Sequence, residues 1–300
     1  MSLLDQLVTE ALRHQQELSP LRTVVEKELL HHDILREMSR AGLLATLTFM
    51  GGTCLRACYG SSRLSEDLDF TGGAGFTRPQ LADLASVLVD RLGQKYGMLV
   101  EVSEPTHETG NFDTWKLTLQ TRPDERNHPV QRIHIDICAI PSYQPRPMML
   151  RNQYGVEMGT SGLILQAESR EEILADKLIA FALRPNRVKN RDLWDITWLH
   201  QQGIALPVEL IAPKLGDHRC DQERFVGLLA ERQQSLADDP RTRADFHEEM
   251  RRFLPAALVA DTIDNPEFWT YLTSVIADAC RRACAALSGD PQPQPPRFSM

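Results

Sequence analysis

The 300-residue chain has no run of about 18 apolar residues, no excess of basic charge, and no pair of cysteines at C-x2-C spacing. The first absence excludes a membrane-spanning helix. The opening Met1-Ser2-Leu3-Leu4-Asp5-Gln6 also lacks the basic-then-apolar profile of a secretory signal, so the chain is expected to be neither inserted nor secreted, with a cytoplasmic location. Lys and Arg number 33 against 41 Asp and Glu, a formal charge of -8. No general basic field therefore exists to hold nucleic acid or an anionic membrane, and any anion must be bound locally. The six cysteines, at 54, 58, 138, 220, 280 and 284, form close pairs only at C-x3-C spacing with few histidines nearby. That pattern matches neither a zinc site nor a disulfide framework and reads as apolar thiols in a reducing cell. What is present, 42% hydrophobic and 25% charged residues, is the balance of a soluble globular protein, and the length favours two domains of ~150 residues each.

Residues 21–41 predict a helix, with Leu21, Val24, Val25, Leu29, Leu35 and Met38 at roughly 3.6-residue spacing and Gly42 placed to end it. A strand over 45–50 runs into Gly51-Gly52-Thr53, and a short helix over 54–59 follows, ended by Gly60. A strand feeding glycines into a helix presents backbone N–H groups to phosphate, because the first helical turn leaves its donors unpaired. Further strands are expected at 68–71, 99–102, 115–121 and 132–139, with a helical pattern over 77–96 and a hairpin-type connection over 123–129. Ser169-Arg170-Glu171-Glu172 then has the form of a capping box. It opens a series of helices expected at 170–183, 190–202, 207–215, 221–237, 241–254 and 266–287. The tail 288–300, with four prolines in 291–296, reads as extended or disordered.

Arg63-Leu64-Ser65-Glu66-Asp67-Leu68-Asp69-Phe70 is the first segment whose pattern points to a reaction. In an extended chain Ser65, Asp67 and Asp69 share a face, and two carboxylates roughly 7 Å apart at Cα suit a hard divalent cation such as Mg²⁺. A solvated strand edge carries the same pattern. In Arg132-Ile133-His134-Ile135-Asp136-Ile137-Cys138 the isoleucines take the buried face, which leaves Asp136 on the other face near His134. An acid within so apolar a strand calls for a hydrogen-bonded partner or a metal, and His134 reads as a polar neighbour rather than a ligand. Lys177 either points to water or meets a charge. Asp192 and Asp195, one helical turn apart, either complement the helix dipole or serve a site. Together these elements describe phosphoryl transfer. Gly51-Gly52-Thr53 can cradle phosphate oxygens, Asp67, Asp69 and Asp136 can hold one or two Mg²⁺, and Lys177 can neutralise a triphosphate. Such chemistry needs in-line positioning and charge compensation more than covalent work.

The ordered set Gly51-Gly52-Thr53-x-Leu55-Arg56, Arg63-x-Ser65-x-Asp67-Leu68-Asp69-Phe70, Asp176-Lys177-Leu178 and Arg191-Asp192-x-x-Asp195, over about residues 47–200, resembles the minimal nucleotidyltransferase superfamily. Within it the set is similar to the AbiEii-type toxins of bacterial abortive-infection and toxin–antitoxin systems. The resemblance implies that Gly51, Gly52, Thr53, Arg63, Ser65 and Lys177 bind the nucleotide. It also implies that Asp67 and Asp69 are the metal pair, with Asp136 matching the third strand carboxylate of the superfamily. Asp67, Asp69, Lys177 and Asp192 would be the catalytic set, Asp192 as the later essential acid.

The implied fold is α+β, a nucleotidyltransferase-like mixed sheet with flanking helices followed by a C-terminal helical domain. The boundaries that follow are an N-terminal helical arm at 1–42, a catalytic domain at 43–167, a helical domain at 168–287 contributing Lys177 and Asp192, and the Pro-rich tail at 288–300. The implied function is Mg²⁺-dependent transfer of a nucleoside monophosphate from an NTP to an acceptor, RNA or the 3′ end of tRNA, by a toxin with a cognate antitoxin. Transfer to a small molecule such as an aminoglycoside, or to a protein side chain, uses the same core and suits the acidic charge. Against that, Arg184, Arg187, Lys189 and Arg191 offer a local basic strip for RNA. A non-catalytic nucleotide- or protein-binding module is the third reading, and the presence of all the acids and of Lys177 argues against it.

Overall fold

The computed structural model describes residues 1–106, 112–122, 130–185 and 188–289. The connection expected at 123–129, Arg187 of the basic strip and residues 290–300 of the tail lie outside the described residues. The chain divides into two compact units, Met1–Ser169 with Phe253–Ala257, and Arg170–Arg252 with Leu258–Met300.

The first unit begins with α1 (Leu3–His14), a 3₁₀ turn over Gln16–Leu21, and α2 (Arg22–Arg40). Val25, Leu29, Leu30, Ile34 and Met38 of α2 are wholly buried, each side chain stabilising the unit by about 1.5–3 kcal/mol. Strand β1 (Thr48–Met50) leads into α3 (Gly51–Ala57), then β2 (Leu68–Thr71). The strand expected from 45 starts only at 48, because Ala45 N–H donates to the Gly42 carbonyl and Leu47 N–H to the Leu44 carbonyl, keeping that stretch in turns. Conversely α3 begins at Gly51, so the two glycines and Thr53 form its first turn. The 77–96 pattern resolves into a 3₁₀ turn at Arg78–Leu81 and α4 (Leu84–Tyr96), which Gly97 ends in the left-handed conformation.

Strands β3 (Leu99–Ser103), β4 (Phe112–Gln120), β5 (Gln131–Cys138), β6 (Pro145–Met149) and β7 (Ile164–Glu168) complete a seven-stranded mixed sheet in the order β3-β4-β5-β2-β1-β7-β6. β2 pairs in parallel with β5 and β1 with β7, and the other pairs are antiparallel. Strands β6 and β7 were not expected from sequence. Pro145 and Pro147 break the strand signal in β6 and are accommodated because that strand is an edge. On β4 and β5, Trp115, Leu117 and Leu119 lie with Ile133, Ile135 and Ile137 on the buried face. The other face carries Thr114, Lys116, Thr118, Arg132, His134 and Asp136, because successive side chains alternate.

The second unit contains α5 (Arg170–Leu183), α6 (Asn190–Gln201), α7 (Val208–Asp217), α8 (Gln222–Asp238), α9 (Pro240–Met250), the short α10 (Ala256–Leu258, which straddles the division) and α11 (Pro266–Ser288). Among its described residues there is no strand. Aromatic pairs Trp194–Phe268 and Phe246–Trp269, with ring centroids 5.7 and 5.5 Å apart, tie α11 to α6 and α9. Lys214 of α7 is buried between Glu172 (2.8 Å) and Asp176 (2.7 Å) of α5. All six cysteines are free, and no helix among the described residues is long and apolar enough to cross a membrane.

Candidate active site

The parallel register of β2 and β5 places Asp69 directly beside Asp136 on the open face of the sheet. Asp67 precedes β2 and turns toward the same place, where its Oδ1 accepts a hydrogen bond from His134 N–H at 3.0 Å and lies 3.4 Å from His134 Nδ1. Thr114, opposite Asp136 on β4, donates its hydroxyl to Asp136 Oδ1 at 2.6 Å. Burial pushes the Asp136 carboxyl above its ordinary pKa against the pull of the Thr114 hydroxyl, and the negative charges of Asp69 and Asp67 push the same way. The charges of Asp67 and Asp69 thus bear on Asp136, and the three carboxylates offer oxygen donors only.

Gly51 begins α3 with φ +74, and a Cβ there would fall 2.6 Å from Asp69 Oδ2. Both the left-handed backbone and the close approach therefore require glycine. Thr53 is buried, its hydroxyl 2.7 Å from the Ser65 hydroxyl and hydrogen-bonded to the Asp67 carbonyl. Its side chain braces the lead into β2, while the N–H groups of the first turn of α3 point along the helix start. Ser65 does not share an open face with Asp67 and Asp69 as an extended strand would arrange. It is buried, because residues 61–67 are irregular and Glu28 Oε1 accepts the Ser65 N–H at 2.8 Å. Arg63 is also buried and donates to the Leu64 carbonyl at 2.8 Å.

Glu28 is a residue that motif reading missed. Its Oε2 accepts from Arg56 Nε at 3.1 Å and from the Tyr154 hydroxyl, and Arg56 Nη1 donates to the Ser61 carbonyl at 2.9 Å. A buried ion pair on α2 and α3 thereby fixes both ends of the 61–65 segment that delivers Asp67. The signal was available, since Glu28 falls on the apolar stripe of α2 between Val25 and Leu29, where a charge must find a partner.

In the second unit, Lys177 Nζ is held by Asp192 Oδ1 at 2.6 Å and Asp195 Oδ2 at 3.0 Å, with the lysine side chain only 12% exposed. Arg184 Nη2 lies 3.3 Å from Asp192 Oδ2. Burial alone would raise the Asp192 pKa, but the charges of Lys177, Lys189 and Arg184 outweigh it and hold the carboxyl down at about 2. Asp176, quoted in the same motif as Lys177, is paired to Lys214 instead. The structure brings Asp67, Asp69 and Asp136 together beside Gly51-Gly52-Thr53, and separately joins Lys177 to Asp192 and Asp195.

The family model described as the nucleotidyl transferase AbiEii toxin of type IV toxin–antitoxin systems matches residues 33–274. The chain belongs to the AbiEii family. It is thus a nucleotidyltransferase, and the family places it in a toxin–antitoxin context. No curated protein matches the sequence. Among solved structures, this AbiEii protein is similar to JHP933 from Helicobacter pylori, with 15% identity and a TM-score of 0.49 over 89% of this chain and 95% of that one. It is also similar to MenT4, a nucleotidyltransferase toxin from Mycobacterium tuberculosis, with 17% identity and a TM-score of 0.49 over 93% of each chain. An antigenic nucleotidyltransferase-like protein from Paracoccidioides brasiliensis shares 14% identity, with a TM-score of 0.37 over 78% of this chain and 96% of that one.

Proposed function

We propose that this AbiEii protein transfers a nucleoside monophosphate from an NTP to RNA, with the 3′ end of tRNA as the acceptor, and releases pyrophosphate in the cytoplasm. The observation that carries the reading is the convergence of Asp67, Asp69 and Asp136 beside the Gly51 turn. When bound to those carboxylates, Mg²⁺ supplies charge neutralisation for the phosphates and lowers the cost of ionising the attacking hydroxyl. The N–H groups of Gly51, Gly52 and Thr53 hold phosphate oxygens, while Arg63 and Ser65 support them by ordering the segment from 61 to 67. Lys177 contacts the nucleotide phosphates, and Asp192 orients that ammonium through its 2.6 Å contact. Modifying the acceptor end of tRNA halts translation, which is the action of a toxin held in check by a cognate antitoxin and released in abortive infection.

Incubating the purified protein with labelled NTPs, Mg²⁺ and total RNA is expected to label an RNA species, and Asp67→Ala to abolish the labelling. Absence of any labelled RNA across all four NTPs counts against the reading, and a labelled small molecule or protein in a whole extract would redirect it to that acceptor. Expression is expected to arrest growth, and Lys177→Ala to relieve the arrest.

A further inference from the structure

Cross-strand register arranges the open face of the sheet in rows. One row holds Asp69, Asp136 and Thr114; the next holds His134 and Lys116; the third holds Arg132 and Thr118. Successive rows are two residues apart, a step of about 7 Å along the strand. Lys116 and Arg132 are exposed, and neither makes an ion pair among the described residues. On the other side of the carboxylate row, Phe112 lies on the same face and is 48% exposed. Two further acids face the same way, Asp67 against His134 and Glu101 of β3 beside Thr118.

A lysine and an arginine with no ion pair among the described residues, in a chain of net charge -8, form a local exception to its acidity. Their position relative to Gly51 gives the exception a direction. Gly51 follows β1, Asp69 is on β2, Asp136 and Arg132 are on β5 and Lys116 is on β4, so across the sheet Lys116 lies on the far side of the carboxylates from the glycine turn, while Arg132 shares the strand of Asp136. Phosphoryl transfer proceeds in line, so the leaving pyrophosphate and the attacking hydroxyl lie on opposite sides of the reacting phosphorus. With the triphosphate toward Gly51, the acceptor must arrive over β5 and β4.

We infer that the β4–β5 face is the acceptor track: Lys116 and Arg132 hold the backbone phosphates of single-stranded RNA just before its 3′ end, and Phe112 offers a stacking surface for a terminal base. The spacing suits this occupant, because cations at successive steps along an extended strand match successive phosphates of an extended nucleic acid. Aromatic stacking adds affinity without demanding one base. The track rests on the reading of RNA as acceptor, and it assigns to that reading residues outside every motif.

The test uses the full-length protein and a fluorescent single-stranded RNA 12-mer ending in CCA, with affinity read by anisotropy and transfer read with labelled NTP. Lys116→Gln with Arg132→Gln is expected to weaken RNA binding at least tenfold and to flatten the slope of log affinity against log salt by about 0.7 for each contact removed. The apparent KM for NTP at saturating RNA should stay within twofold. Phe112→Ala is expected to weaken binding severalfold with no change in the salt slope. Glu101→Gln should tighten binding at low salt, a gain that misfolding cannot produce. RNA affinity unchanged in the double variant, while the wild type still labels RNA, overturns the track and leaves the proposed function standing. A raised KM for NTP with unaltered RNA affinity reassigns the cations to the nucleotide and also overturns it. A wild type that neither binds nor labels RNA overturns both.

Discussion

Gly51 approaches Asp69 so closely that a methyl group on residue 51 would sit 2.6 Å from the Asp69 carboxylate oxygen. Gly51→Ala must both strain a left-handed backbone and displace that carboxylate. The expected cost is about 1–2 kcal/mol of stability together with a loss of nucleotidyl transfer of tenfold or more. A urea titration and the labelled-NTP assay measure the two effects separately. Full activity in a stably folded Gly51→Ala protein would show that the Asp69 position is not critical.

Asp136 is held above its ordinary pKa by burial and by the charges of Asp69 and Asp67. Without divalent metal, Asp136→Asn therefore removes a repulsion, and its thermal midpoint should equal or exceed that of the wild type. Adding Mg²⁺ should raise the wild-type midpoint and leave that of Asp136→Asn in place, with transfer reduced at least 100-fold. Equal Mg²⁺ stabilisation of both proteins would remove Asp136 from the metal set.

Asp192 has a folded pKa of about 2, depressed below that of an unfolded aspartate. A depressed carboxylate contributes stability that is present above the unfolded value and lost as pH falls through the folded one. Stability is accordingly expected to decline between about pH 4 and pH 2. Asp192→Asn, which removes the carboxylate 2.6 Å from Lys177 Nζ, should cost about 3 kcal/mol at pH 7 and much less at pH 2. Denaturant midpoints at the two pH values provide the check.

Glu28 secures Ser65 N–H, Arg56 and Tyr154 at once. Glu28→Ala leaves Arg56 buried without its partner, and the expected cost is about 3–5 kcal/mol. Exchange of the Ser65 amide should accelerate more than exchange in the β4–β5 ladder, and transfer should fall as the segment carrying Asp67 loosens. Uniform acceleration across the unit would point to general destabilisation instead.

The parts legible in the sequence were those with strong local period or chemistry. Helix α5 spans 170–183 as its capping pattern and apolar run predict, and α2, α6 and α11 agree to within a residue or two at each end. The paired acids of Asp67-Leu68-Asp69 could be named, but their meeting with Asp136 depends on the parallel pairing of β2 and β5, which no local spacing encodes. Ser65 was misplaced because an extended lead into β2 was assumed, whereas Glu28 draws its backbone inward. Lys214 went unnoticed although it shares the apolar stripe of α7 with Leu210, Ile211 and Leu215. A charge on such a stripe is a sign of a buried ion cluster, here Glu172 and Asp176.

The parallel pairing of β2 with β5 also sets an order of events during synthesis. Asp69 and Asp136 are 67 residues apart in the chain and become neighbours only when β5 has docked. Such non-local pairings form late, after the loop-closure entropy has been overcome. A nascent chain that has not yet emerged past β5 therefore has no carboxylate cluster, and the site cannot assemble until the first unit can close.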